Sequence, residues 1–148
     1  MTGSAGSLEP APQFVLSDSP DPREVQLLES RLDEFNLSHT GIRDVRYLSI
    51  IVRNRDAAVG GLYGWTWGGC LEVKTVWVDE AWRGRGVGTR LLTMAETEAR
   101  ARGARQIILS THSFQAPDFY SRFGFEVAGY IDDYPIGHRS IYLRKGLR

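Results

Sequence analysis

The stretch Val76-Trp77-Val78-Asp79-Glu80-Ala81-Trp82-Arg83-Gly84-Arg85-Gly86-Val87-Gly88-Thr89 constrains this chain more than any other. An apolar run suited to a strand passes through a short connection into three alternating glycines, and helical spacing begins at once. Glycine lets backbone come close to a ligand. The first amides of a helix lack internal partners, so their partial positive charge can meet an anion without help from side chains. Arg83 and Arg85 add full charges. The stretch therefore reads as a phosphate cradle and not only as a tight strand-to-helix turn. A Walker-type loop needs Lys followed by Ser or Thr after its last glycine, and Thr89-Arg90 lacks that order. A dinucleotide fingerprint belongs on the first strand-to-helix turn, with a ribose-binding acid about 20 residues on. This turn instead follows several expected antiparallel strands.

Those strands are Arg46 to Arg53, Ala58 to Trp67 and Leu71 to Val78, separated by Asn54-Arg55-Asp56 and Gly68-Gly69, which is the pattern of two consecutive hairpins. Gly88 to Arg102 is helical: Leu91, Leu92, Ala95 and Ala99 share a face, Glu96/Arg100 and Glu98/Arg102 are favourable pairs, and Gly103 can end the helix. Gln106 to Thr111 reads as a buried strand, so strand, helix and strand imply one parallel pair. Ser113 to Phe123 reads as a short helix capped by Ser113, with strands expected near Phe125 to Tyr130 and Arg139 to Leu143. Upstream, residues 1–12 have the composition of a disordered tail, and Phe14-Val15-Leu16 is a short strand candidate. Asp21-Pro22-Arg23-Glu24 starts a helix. In it Val25, Leu28, Leu32 and Phe35 mark one buried face running to about Asn36, and residues 38–44 form a loop or one more short helix. With 148 residues, the chain is expected to form one domain over 13–148, of mixed α/β class.

Composition excludes other classes. The single cysteine, Cys70, admits no internal disulfide, and His39, His112 and His138 show no metal-ligand spacing, so no metal is expected. Zero net charge argues against sequence-independent nucleic-acid binding. No apolar run approaches the roughly 20 residues of a membrane span, and no signal peptide is visible, so no membrane partner and a cytoplasmic location are expected. Charge is unevenly spread: residues 1–45 carry eight acids against three arginines, a net −5, and the remainder is +5. The sequence leaves a homodimer open.

With Arg83, Gly86 and Gly88 in place, the glycine-rich turn resembles the cofactor motif of the GNAT superfamily of N-acetyltransferases: Gln or Arg, two residues, Gly, one residue, then Gly or Ala. A second signature, Ala, two residues, an aromatic or Leu, Tyr, three residues, Gly, Phe, is matched by Ala116-Pro117-Asp118-Phe119-Tyr120-Ser121-Arg122-Phe123-Gly124-Phe125. The resemblance covers roughly Arg46 to Leu143. It implies a GNAT-like fold, with a central mixed six- to seven-stranded sheet splayed between two parallel strands and flanked by helices. It also implies acetyl-CoA as co-substrate. The amides of Gly84, Arg85, Gly86, Val87, Gly88 and Thr89 would hold the pyrophosphate, and backbone groups of Val76, Trp77 and Val78 the pantetheine arm. Where family members often carry a pantetheine-holding Asn, this chain has Ser113, whose hydroxyl reaches less far; part of that contact passes to Gln115, backbone or water.

Acetyl transfer to an amine needs two oriented ligands, stabilisation of developing charge and a proton for the departing sulfur. Tyr120, the motif tyrosine, is the expected acid, weighed against a plain packing role. Glu72, eleven residues before Arg83, is the expected base, weighed against a surface pair with Lys74. His112 is more simply a capping or exposed residue. Asp132 and Asp133, on the loop before the last strand, could attract a cation. Trp65, Trp67, Trp77 and Trp82 read as packing residues, and Cys70 as a small hydrophobe, so direct attack in a ternary complex is expected. The acceptor is expected to be a small cationic amine. An inert CoA-binding regulatory module, a protein N-acetyltransferase and a transferase of longer acyl groups are the alternatives.

Overall fold

In the computed structural model, which describes Gly6 and residues 9–148, the chain divides into two compact units, Met1–Gly41 and Ile42–Arg148. The first holds helix α1, Pro22–Thr40. Its start follows the sequence signals: the Asp21 carboxylate accepts the Arg23 amide at 2.9 Å and Pro22 occupies the first turn. It runs past Asn36, through most of the expected loop, until Gly41 takes a left-handed φ of 67°. The expected buried face is not covered within this unit: none of Val25, Leu28, Leu32 and Phe35 is buried. Periodicity fixes which side chains share a face, not what covers them. Phe14, Val15 and Leu16 form no strand, because among the described residues of this unit no other strand is present to complete their backbone hydrogen bonds. The tail expected over 1–12 falls largely on residues outside the described ones.

The second unit has the order β1 (Arg46–Asn54), β2 (Ala57–Trp67), β3 (Cys70–Val78), α2 (Val87–Ala101), β4 (Gln106–His112), α3 (Pro117–Arg122), β5 (Glu126–Asp132) and β6 (Arg139–Gly146). The six strands form one mixed sheet in the order β1-β2-β3-β4-β6-β5, six and not seven because the Phe14 segment stays out. Both hairpin turns use left-handed backbone, at Arg55 in one and at Gly68 and Gly69 in the other. One sheet face carries the core, where Leu62, Leu71 and Ile107 pack with Leu91, Leu92, Ala95 and Ala99 of α2. The two alanines let the helix lie close to the strands.

Two features open the middle of the sheet. The parallel ladder between β3 and β4 has four pairs, from Cys70↔Gln106 to Val73↔Leu109, and then stops. Beyond it β3 stays with β2 and β4 stays with β6. At the same place β3 bulges: Gly64 pairs with Val73 and Tyr63 with Thr75, leaving Lys74 as the extra residue. Gly64 permits this, since a Cβ there would run into the Glu72 carbonyl oxygen.

Helix α2 is held to the sheet by ion pairs as well as by packing. Glu96 accepts from Lys145 of β6 at 2.6 Å and from Arg100 at 2.9 Å, and the Lys145 ammonium sits 4.5 Å from the Phe123 ring centre. Arg102, salt-bridged to Glu98 at 2.7 Å, also donates to the carbonyls of Arg46 and Tyr47 on β1. Burial works to raise the Glu96 carboxyl pKa, but the hydrogen bonds from Lys145 and Arg100 outweigh it and hold it below the usual glutamate range. Its stabilising contribution is therefore complete at neutral pH and is lost as pH falls through that lowered value. Glu96→Gln should cost about 1–2 kcal/mol at pH 7 and flatten the loss of stability on acidification, read by denaturant unfolding at pH 7 and pH 3.

Candidate active site

Where β3 and β4 part, a cavity of about 910 Å³ opens, walled by the free ends of both strands, the glycine-rich turn and α3. The turn is built locally. Asp79 ends β3 with its amide on the Val59 carbonyl and its carboxylate on the Ala81 amide, closing a 3-10 turn over Glu80–Trp82. Arg83 then reaches back, its Nε donating to the Val78 carbonyl at 2.9 Å, which pins the turn to the strand end. Gly84 and Gly86 adopt φ values of 69° and 79°, a region that costs other residues about 1–2 kcal/mol. Gly86 is the N-cap of α2 and no side chain caps the helix, so its first-turn amides are open to an anion.

Most of the residues assigned to cofactor binding line this cavity: Val76, Trp77, Val78, Arg83, Gly84, Gly86, Val87, Gly88 and Thr89. Two do not. The Arg85 side chain turns away and its guanidinium lies 5.1 Å from the Trp82 ring centre; Trp82, read from sequence as packing, is the one that faces the cavity. Ser113 neither caps α3 nor reaches the cavity. Its hydroxyl accepts the Arg139 amide at 3.0 Å and its amide donates to the Arg139 carbonyl, joining the end of β4 to β6. Helix α3 starts instead at Pro117, after Ala116. Gln115 does line the cavity, its Oε1 fixed by the Thr111 hydroxyl at 3.0 Å and the His112 amide at 2.8 Å.

Tyr120 lines the same cavity from α3, with its ring edge-on to Phe119 and Phe125 at centroid distances of 5.3 and 5.8 Å. Burial raises its phenol pKa above the ordinary value of 10.0, so the group keeps its proton across the neutral range. Glu72 lies outside the lining, opposite Ile108, one position before the parallel ladder ends. The bulge explains why Glu72 and Lys74 do not form the surface pair weighed against the base role: it breaks the alternation that would place them together, and among the described residues no ion pair joins them. Lys74 faces the cavity instead. With Arg83 and Arg122 it makes the charged part of the lining entirely cationic. Lys74 and Arg122 were missed from sequence, although a bulge opposite Gly64 and a cation two residues after the motif tyrosine were both there to read.

Asp132 is paired with Arg139 at 2.7 Å and Asp133 accepts the Gly137 amide, so both loop acids have partners inside the fold. His112 stacks on Phe114 at 5.4 Å and its Nδ1 is buried. Cys70 starts β3 outside the cavity; burial, then the Glu72 charge, push its thiol pKa up, away from a reactive thiolate. No group of residues among those described could hold a metal ion, and no described helix is long and apolar enough to cross a membrane.

The acetyltransferase (GNAT) family profile matches residues 12–125. Acetyltransferase Atu2258 of Agrobacterium fabrum is 39% identical over 133 residues, 89% of this chain and 97% of that protein. The blasticidin-S acetyltransferase of Streptomyces morookaense is 39% identical over 119 residues, 75% of this chain and 85% of its own. A crystal structure of an Agrobacterium tumefaciens protein described as an acetyltransferase superposes with a TM-score of 0.85 at 37% identity, covering 91% of this chain and 99% of the other.

Two glycines separate the roles of backbone strain and ligand contact. Gly86 and Gly103 have nearly equal φ, 79° and 78°, but only Gly86 borders the cavity. Alanine at either should cost about 1–2 kcal/mol of stability. Only Gly86→Ala should also weaken CoA binding by tenfold or more, measured by titration calorimetry.

Proposed function

The chain belongs to the acetyltransferase (GNAT) family, and from that premise we propose that it moves the acetyl group of acetyl-CoA to the primary amine of a small cationic molecule by direct attack in a ternary complex. The observation that carries this reading is the parting of β3 and β4 after Val73 and Leu109, with the open helix start at Gly86 on one wall and Tyr120 on another. The residues present fit a CoA-sized anion: uncapped amides for the diphosphate, Lys74, Arg83 and Arg122 for its charge, and an unpaired β3 edge over Thr75–Val78 for an amide-bearing arm. When bound, the co-substrate supplies the activated acyl group. The fold supplies orientation, which is worth more than any single side chain.

Tyr120 then acts as the acid. Its raised pKa keeps a proton available in an apolar setting, where it can be given to the sulfur as the thioester carbon–sulfur bond breaks. Glu72, on the face of β3 opposite Val73 and outside the cavity lining, receives through water the proton that the ammonium of the acceptor must lose. Cys70 takes no part, since its position and raised pKa do not suit a covalent acyl carrier. The likeness to a blasticidin-S acetyltransferase supports a small-molecule acceptor over a protein tail.

Acceptor-dependent release of CoA thiol across a panel of amines tests the reading, and CoA binding without such release would overturn it. Tyr120→Phe should lower kcat on the order of 10²-fold while leaving the CoA dissociation constant within about twofold, and in the parent enzyme the alkaline fall of kcat should begin above pH 10. Glu72→Gln should lower kcat/KM most at pH 7, with the deficit shrinking towards pH 9.5 as the amine loses its own proton; a deficit constant with pH would remove Glu72 from the base role.

A further inference from the structure

Lys74 stands where the two irregularities of the sheet coincide. It is the extra residue of the β3 bulge, it directly follows Val73, which makes the last parallel pair with Leu109, and it lines the cavity. Within the Ile42–Arg148 unit no carboxylate is ion-paired with it. The charged residues of the lining are Lys74, Arg83 and Arg122, and Glu72 lies outside it, so the cavity offers this ammonium no counter-charge of its own.

The glycine turn lies at the other end of the unpaired edge. Four strand residues, about 13 Å, carry β3 from Lys74 to Val78, and the Arg83 bond to the Val78 carbonyl holds the turn there. A carrier with its diphosphate on the open amides at Gly86 and its arm along Thr75–Val78 therefore brings its acyl group, not a phosphate, to Lys74. Arm and thioester are both neutral. Filling the cavity strips water from the ammonium, and a charge that loses water without gaining a counter-charge is costly. The second substrate is what remains to supply one.

We propose that the acceptor amine carries a carboxylate and that Lys74 binds it, holding the amine towards the acyl carbon. This rests on the acetyl-transfer reading and narrows its acceptor to an amine of amino-acid type, cationic elsewhere but bearing one anionic group. A purely cationic amine would meet Lys74 as a like charge, which works against its approach. One ammonium balances one carboxylate, with three donors to share between two oxygens. The dianion of a phosphate would be only half compensated. With the carboxylate fixed, the amine attached nearby keeps few orientations, and that restriction is what a two-substrate reaction gains most from.

Titration calorimetry on the CoA-loaded full chain, using the protein amino acids and the carboxamide of each, tests this directly, because an amide keeps the shape and loses the charge. The best-bound amino acid should exceed its amide by roughly 10- to 100-fold. Lys74→Met should bring that ratio to within about twofold and Lys74→Arg should keep most of it, with the same ratios in kcat/KM for acceptor-dependent CoA release. A parent protein that binds no amino acid better than its amide overturns the proposal, as does a preference that survives in Lys74→Met. A Lys74→Met loss of equal size for acid and amide also overturns it, since the charge then acts on the developing oxyanion or on the fold. Binding to the CoA-loaded protein needs no turnover. Thiol release with no carboxylate preference therefore defeats this proposal alone, whereas a carboxylate preference without thiol release defeats the enzymatic reading.

Discussion

The parallel pair β3/β4 is the one contact on which the site depends, and it matters because it stops early. Four residue pairs join the halves of the sheet, after which each strand keeps only its outer neighbour. A strand edge facing into a protein carries backbone donors and acceptors that must find partners. Along Thr75–Val78 those groups border the cavity, where a ligand with amide groups of its own can complete them. The bulge at Lys74 is part of the same device: it bends β3 away from β4 at the last shared pair and turns a cation inward. Gly64 is needed on the neighbouring strand because the bulged backbone comes too close for any side chain.

Electrostatics and burial both shape the cavity. At the glycine turn the lining offers open amides and Arg83, while Lys74 enters from β3 and Arg122 from α3. Near α3 it offers Tyr120 among aromatic edges, where desolvation favours the neutral phenol.

How legible this was depends on how local each signal is. The hairpins, the face of α2 and its ion pairs lie within a few residues of their causes, and the structure has them where the spacing put them. The Gly-rich turn was legible for the same reason: left-handed φ at Gly84 and Gly86 is a demand one residue makes of itself. What depended on distant partners was not. Ser113 looked like a helix cap because the β6 strand that claims its hydroxyl lies 26 residues away. Nothing in the spacing shows that the Arg85 guanidinium lies over the Trp82 ring. Glu72 and Lys74 looked like neighbours because a bulge is set by the opposite strand, where Gly64 was the clue.

Gly88 shows how the two sequence signatures become one mechanical unit. Read alone, it is the last glycine of a cradle. In the fold a Cβ at that position would meet the Phe119 ring at 3.2 Å, closer than ordinary packing allows. Its absence lets the first turn of α2 lie against α3, and Phe119 in turn packs edge-on to Tyr120. The helix start at Gly86 and the Tyr120 phenol are thus linked through the Gly88–Phe119 contact and the two rings. A methyl group at Gly88 would push on α3 through Phe119. The glycine therefore sets how closely the start of α2 approaches the Tyr120 ring.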